Sequence, residues 1–419
     1  MTDSSCSCPD LTATSLSRRA ILRSTFAAGC VTTMGSAVVS VAASSAAAAA
    51  DPASSVIVVL SLRGAADGLS LVVPHADPTY YSARPTIAVP SSTLLAKDGF
   101  FGLHPSLAPL LPLWQQGKVA AVHATGLAVA NRSHFAAMEE LEDAAPGSDT
   151  RSGWLNRLLS LDSDTSSAQG LSVGTTTLPE SLVGPEETMA VRNLSRLRIP
   201  GSDPSIDPAA RRLRALRAMW GASGQEFGGA VRSAIASSER LLPALSQADR
   251  TTSYPATDLG RALSAVSRIV RADRGVSVVT VDQGDWDMHT NLGTVTRGPM
   301  ANNAASLAGS IAAFFADLGP MADRVTLVTI SEFGRRVQEN ANRGLDHGWG
   351  NVMFLVGAGV KGGYHGSFPT LSADVDSDLT VTTDYRSVLA EVVASRTSAS
   401  VAQVFPGFQP EVVGAMGRV

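Results

Sequence analysis

Five short segments of this sequence place acids, imidazoles or hydroxyls beside small residues, and each one borders an apolar run. They are Arg63-Gly64-Ala65-Ala66-Asp67-Gly68, Asn131-Arg132-Ser133-His134-Phe135, Asp282-Gln283-Gly284-Asp285-Trp286-Asp287-Met288-His289, Ser331-Glu332-Phe333-Gly334-Arg335 and Asp346-His347-Gly348. Carboxylates and imidazoles are the ligands of zinc, manganese, calcium or magnesium, so the chemistry they permit is divalent metal binding. Asp67, Asp287, His289, Glu332 and His347, with Asp285 and Asp346 in reserve, suffice for one or two ions. Two ions about 3.5–4 Å apart hold both the attacking and the leaving oxygen of a phosphoryl-type transfer. Asp287 and His289 lie two apart, so an extended chain puts both on one side. A helical chain instead favours Asp285 with His289, four apart. Ser133 begins a segment of helical periodicity. It reads either as an ordinary N-cap or as a nucleophile held beside a metal and the helix N-terminus.

The elements that must position these residues follow from the hydrophobic pattern. Val56–Leu62, Val119–His123, Val276–Val281, Val325–Ile330 and Val352–Val356 read as buried strands. Helices are expected over Pro105–Gln116, Ser133–Leu141, Trp154–Leu161 and residues 207–221, 228–246, 258–273, 303–318 and 383–395. Residues 162–206 read as irregular. Strands alternating with helices predict an α/β fold, a mostly parallel sheet sandwiched by helices, with a helical insertion at about 200–273. In such sheets ligands bind beyond the carboxyl ends of the strands. Four of the five polar segments come just after a strand and the fifth just before one, so all are expected at one rim.

The first fifty residues read as an address. Ser17-Arg18-Arg19-Ala20-Ile21-Leu22-Arg23 precedes an uncharged Ala-, Val- and Ser-rich stretch that ends at Ala50. This is similar to a twin-arginine export signal, cleaved before Asp51, and implies the export machinery as a partner. Residues 51–419 are then one exported domain in the periplasm, cell envelope or outside the cell. Removing Arg18, Arg19, Arg23, Asp3 and Asp10 leaves 30 basic and 35 acidic groups, a net charge of −5. That balance argues against a nucleic-acid partner. Cys6, Cys8 and Cys30 all fall in the leader, so the mature part has neither a disulfide nor a thiolate ligand. No later segment reads as apolar enough for a stable membrane span.

Other features read as structural. His123, inside a strand, is a core residue. His75, His104 and His365 sit in loops, and His134 is either a ligand or a flank of the cap. Gly357-Ala358-Gly359-Val360-Lys361-Gly362 matches a dinucleotide fingerprint, but glycine and not a helix follows, so it reads as a turn. Asp374-Val375-Asp376-Ser377-Asp378 starts like a calcium loop but has Leu379 where glycine is required.

Taken in order, the five segments, Asp384-Tyr385-Arg386-Ser387-Val388-Leu389 and Phe405-Pro406-Gly407-Phe408 resemble the exported bacterial family called domain of unknown function 1501. That family usually has Asp-Thr-His where this chain has Asp287-Met288-His289, and a second glycine where it has Ala65. The family is similar in plan to alkaline phosphatases and sulfatases. The resemblance implies an alkaline-phosphatase-like sandwich, Asp67, Asp287, His289, Glu332 and His347 as ligands, and Ser133 as nucleophile. The expected activity is metal-dependent hydrolysis of a phosphate or sulfate ester, on a small-molecule or glycan substrate. The alternative is a non-catalytic exported protein that binds cell-surface carbohydrate or a protein partner.

Overall fold

Val56–Leu62 is buried at every position, which requires apolar cover on both faces of its sheet. Side chains alternate along a strand, and the two sets enter different cores. Val56, Val58, Leu60 and Leu62 join one apolar cluster with Leu259, Leu263, Val266, Leu307, Ile311 and Phe314. Ile57 and Val59 join the other, with Leu141, Trp154, Val388, Leu389 and Val392. The protein is therefore an α/β sandwich around one central sheet, seen in a computed structural model that describes residues 30–34, 37–41, 52–145, 152–162, 166, 168–199, 210–220 and 228–417.

The sheet runs in the order Cys30–Met34, Ala37–Val41, Thr188–Val191, Gly170–Val173, Val278–Gln283, Val56–Leu62, Val325–Ile330, Asn351–Gly357, Val119–Gly126 and Gly363–His365. Val56–Leu62 pairs in parallel with Val278–Gln283 and with Val325–Ile330. Asn351–Gly357 is antiparallel to both its neighbours, Val325–Ile330 and Val119–Gly126. Val119–Gly126 therefore points the same way as the parallel set. One consequence governs the site: the antiparallel strand starts at the rim where the parallel strands end.

Helix Asp258–Ala272 shows why a helix forms on this sheet. Leu259, Leu263, Val266 and Val270 repeat at helical spacing and are buried, and the Thr257 side chain accepts from the Gly260 N–H at its start. The expected insertion at about 200–273 packs onto the main core where it is described. Ala234, Ile235 and Leu241 of helix Gly228–Leu241 pack into the same core as Asp258–Ala272. The expected helix 303–318 begins at Pro299, after Gly298. With its continuation to Arg324 it is long and apolar enough to cross a membrane by composition, contrary to expectation. Its apolar stripe is spent inside the protein, however: Met300, Ala304, Leu307, Ile311, Phe314 and Leu318 are all buried.

Three expectations need correction. The helix expected over Pro105–Gln116 is a 3₁₀ turn at Pro105–Leu110 followed by a short α-helix at Leu111–Gln115. Pro109 and Pro112 remove donors an unbroken α-helix needs. The strand expected at Val276–Val281 lies at Val278–Gln283, because Asp282 and Gln283 still pair with Ser61 and Leu62. Residues 162–206 are not wholly irregular: Gly170–Val173 and Thr188–Val191 pair in parallel with each other. Four-residue strands containing Gly, Ser and Thr give too short a pattern to read. Most of residues 1–50, expected to be an export leader, lies outside the described residues. Within it, Cys30–Met34 and Ala37–Val41 pair with each other, and the second pairs with Thr188–Val191.

Candidate metal centre

At the common rim the chain leaves the strand Val278–Gln283 extended. Trp286 and Met288 are buried, while Asp287 and His289 turn outward. The period of two thus settles the pairing left open by the sequence: Asp287 partners His289, with Oδ1 and Nε2 3.0 Å apart. Asp285 is exposed and has a positive φ of 65°, which takes it off that face.

Three imidazoles meet there. His347 Nε2 is 3.0 Å from His134 Nε2 and 3.0 Å from His289 Nε2. Asp287 Oδ1 lies 3.5 Å from His347 Nε2 and 3.7 Å from His134 Nε2. His134, Asp287 and His347 form a group whose ligand atoms are all within 4.8 Å of one another. His134, the first residue of helix His134–Asp143, is the candidate ligand that sequence reasoning left undecided. Its signal was its place directly after Ser133 at a helix start.

The other nitrogen of each ring is engaged. His134 Nδ1 lies 2.9 Å from Glu332 Oε1, His289 Nδ1 lies 3.1 Å from Asp346 Oδ1, and His347 Nδ1 lies 3.0 Å from the Arg132 carbonyl. Each of these partners is an acceptor, so each Nδ1 carries the ring proton of a neutral imidazole. The Nε2 lone pairs then face one another across 3.0 Å with no proton between them. A cation held between them would make that arrangement favourable. Burial pushes the His347 pKa below its ordinary value, which favours the neutral, ligating form.

Glu332 and Asp346 thus stand behind imidazoles and do not reach the centre themselves. Glu332 is buried and also accepts from the Gly64 N–H at 2.7 Å. Asp346 Oδ1 also accepts from Asn340 Nδ2 at 2.9 Å. This hydrogen bond first, and His289 second, hold its carboxyl below the usual range. Carboxylates in this position fix the tautomer and raise the basicity of the ligand. Replacement of Glu332 by Gln is expected to weaken metal affinity about 10–100-fold while the fold persists. Competition with a chelating dye, alongside circular dichroism, measures both.

Arg335 is the pin of the rim. Its guanidinium is 1 % exposed. It donates to Asp287 Oδ1 at 2.7 Å, to the carbonyls of Ala65 (2.7 Å), Leu345 (2.9 Å) and Trp286 (3.2 Å), and to Gly64 O. Burial works against ionising Asp287, but the Arg335 contact, with His289 and His134 beside it, keeps its carboxyl below the ordinary value. The loops so joined touch closely. A Cβ on Gly64, which has a φ of +106°, would meet the Asp287 nitrogen at 2.6 Å. Ala65, where the resembling family has glycine, is also left-handed with a φ of 58°.

The expectation that Asp67 shares the ion is corrected. Asp67 is buried, and Arg84 takes both its oxygens, Nη1 to Oδ2 at 2.5 Å and Nη2 to Oδ1 at 3.0 Å. Ser133 is exposed and caps no helix N–H through its side chain. Its hydroxyl is not committed to the capping role. A cavity of about 630 Å³ opens beside His289 and His347, with Arg132, Arg336, Gln338 and Val375 among its walls. His123 stacks on Phe101 at 3.7 Å, and burial lowers its pKa to about 3. His104 caps its own turn, accepting from the Ser106 N–H. Within Gly357–Gly362 the chain turns at Ala358 and Gly359 directly after the strand, as expected.

Around His347 and Asp287 the donor set is imidazole nitrogen with one carboxylate oxygen, His134 completing one triad and His289 lying 3.0 Å from both. It fits a divalent metal.

Solved structures align with most of the chain. One is the C-terminal periplasmic domain of EcEptC from Escherichia coli in complex with Zn, at 10% identity, TM-score 0.37, covering 91% of this chain and 92% of that one. Another is the lipoteichoic acid synthase LtaP from Listeria monocytogenes, at 7% identity, TM-score 0.33, covering 88% and 74%. A third is the alkaline phosphatase of the Antarctic bacterium TAB5, at 10% identity, TM-score 0.28, covering 74% and 92%. No curated protein matches significantly. The profile of the family described as "Protein of unknown function (DUF1501)" matches residues 115–395, well over half of the chain and four of the five polar segments in full, and the chain belongs to that family.

Proposed function

We propose that this chain is an exported metal-dependent hydrolase of phosphate or sulfate esters. The observation that carries the reading is the convergence of His134, His289 and His347 Nε2 with Asp287 Oδ1 immediately after Ser133. His134, Asp287, His289 and His347 would hold the ion, which supplies positive charge to the ester's oxygens when bound.

The chain's own residues then do the rest. Ser133 is the nucleophile, exposed and free of capping. The first-turn N–H groups of helix His134–Asp143 face an anion at its N-terminus and stabilise charge on the non-bridging oxygens. Glu332, Asp346 and the Arg132 carbonyl keep the three rings oriented. The cavity at His289 and His347 accepts the remainder of a small-molecule or glycan ester. The paired arginines of the leader support export, through the twin-arginine machinery, to the periplasm, envelope or medium.

Panels of aryl phosphates and aryl sulfates test the reading. Wild-type protein is expected to hydrolyse one class, and Ser133→Ala to lose about a thousandfold or more of that rate while keeping its metal. Metal-bound protein inert on both classes would favour the alternative, a carbohydrate- or partner-binding protein. Phe135, 91% exposed beside Ser133, is the observation on that side.

A further inference from the structure

Outside the group that meets at the centre, the structure assigns a positioning residue: we infer that Asp378 fixes the ring of His347 by coupling the two arginines that hold this histidine from opposite ends. The part of its test that uses zinc rests on the proposed reading of the histidine cluster, and the part that reads the imidazole does not.

His347 is held twice. Its ring Nδ1 donates to the Arg132 carbonyl at 3.0 Å, and its own carbonyl accepts from Arg336 Nε at 3.2 Å. The same two arginines converge on one carboxylate. Arg132 Nη2 donates to Asp378 Oδ2, and Arg336 Nε lies 3.6 Å from Asp378 Oδ1. The main chain repeats the link. Arg336 N–H donates to the Asp346 carbonyl and Val337 N–H to the Ser377 carbonyl, each at 3.0 Å. Arg335 bridges His347 on one side, and Arg336 bridges Asp378 on the other. Leu379 is buried, and its carbonyl accepts from Gly350 N–H at 2.8 Å. Backbone bonds therefore dock the segment Ser377–Leu379 on the rim without help from the Asp378 carboxylate. That side chain is left for another task.

The energetics say what the task is. The Asp378 side chain is 12% exposed. Its Oδ1 is shielded from water and accepts no hydrogen bond among the described residues. Such an oxygen is costly unless a cation stands near, and Arg336 is that cation. Arg132 is 42% exposed and lines the cavity beside the centre. An ion pair with one partner so open adds little stability. What it supplies is order. A long side chain that would otherwise turn freely in the cavity is tied down, and the backbone that bears it presents its carbonyl to His347 in one direction. Ser133 follows directly, and its N–H makes only the local bond to Asn131 Oδ1 at 3.1 Å, so the loop depends on Arg132 for its place against the rim. Groups that fix the tautomer and tilt of an imidazole tune it as a ligand.

The test reads the His347 ring itself. Full-length protein carrying isotope-labelled histidine is studied by nitrogen NMR above the imidazole titration range, where the signals show which ring nitrogen bears the proton. His347→Ala assigns the signal. Wild-type His347 is expected in the Nδ1–H form, and Asp378→Asn and Arg132→Met are each expected to convert it to a mixture of both forms. Zinc affinity, from competition with a chelating dye, is expected to fall about tenfold in each, the low end of the range for groups that orient a metal ligand. The double variant is expected to lose no more than Asp378→Asn alone, because the two residues act along one line of contacts; independent effects would multiply to about a hundredfold. A role confined to holding the loop would lower the melting temperature and leave both readouts unmoved. An unchanged His347 signal in Asp378→Asn, or multiplied losses in the double variant, would overturn the positioning role and leave the metal reading standing. No zinc binding by wild type would overturn the metal reading, and the His347 signal would then decide the role of Asp378 alone. If Asp378→Asn does not fold, an unchanged His347 signal in Arg132→Met overturns the inference in its place.

Discussion

Replacing His347 with alanine is expected to abolish metal binding and hydrolysis together. His347 is the middle ring of the three, with its Nε2 3.0 Å from both neighbouring Nε2 atoms. Its removal separates His134 from His289 and leaves no point at which their lone pairs converge. The loss is expected to exceed that for an orienting carboxylate, so metal affinity and turnover should each fall by more than about a hundredfold. Melting curves give an independent measure. A ligand that binds only the folded state stabilises it by about 2.7 kcal/mol at a hundred times its dissociation constant. Wild type should therefore melt higher as zinc is added, and His347→Ala should not respond. Ser133→Ala should respond like wild type yet fail to turn over. A His347→Ala protein that keeps its zinc response would show that the ion, if any, is held elsewhere.

Replacing Arg84 with alanine is expected to cost the most stability. The side chain is fully buried, and its loss strands the Asp67 carboxylate and leaves the carbonyls of Val337 and Arg336 without this donor. Breaking a buried ion pair by deleting one partner costs about 3–5 kcal/mol, which lowers the melting temperature by roughly 10 °C in a domain of this size class. Denaturant or thermal unfolding checks it. The double variant Asp67→Asn/Arg84→Met should recover most of the loss, because no uncompensated charge remains. A small loss in the single variant would mean that Asp67 finds another cation.

The positions of the reactive segments were legible because they abut strands whose apolar runs are unmistakable. Val56–Leu62 and Val325–Ile330 are read to the residue, since both of their faces are buried. Asp287 and His289 were readable as a pair only under the condition of an extended chain. The burial of Trp286 and Met288 supplies that condition. Glu332 and Asp346 were recognisable as members of the site but not as supports, because a carboxylate that binds metal and one that orients an imidazole have the same sequence signature. Arg335 was visible only as part of a motif, although its five acceptors make it the joint between three loops.

By itself, the sequence determined the alternation of strands and helices, the rim at which acids and imidazoles gather, and the confinement of all three cysteines to residues 1–50. These follow from local hydrophobic period and residue type, which neighbours in the chain decide. Only the tertiary structure decided which side chains gather at the candidate metal centre. It turned His134 inward and gave Asp67 to Arg84. The reason is that Asp67 and Arg84 are seventeen residues apart, and His134 and His347 two hundred and thirteen. Nothing local records which of several possible partners will be within 3 Å once the sheet has formed.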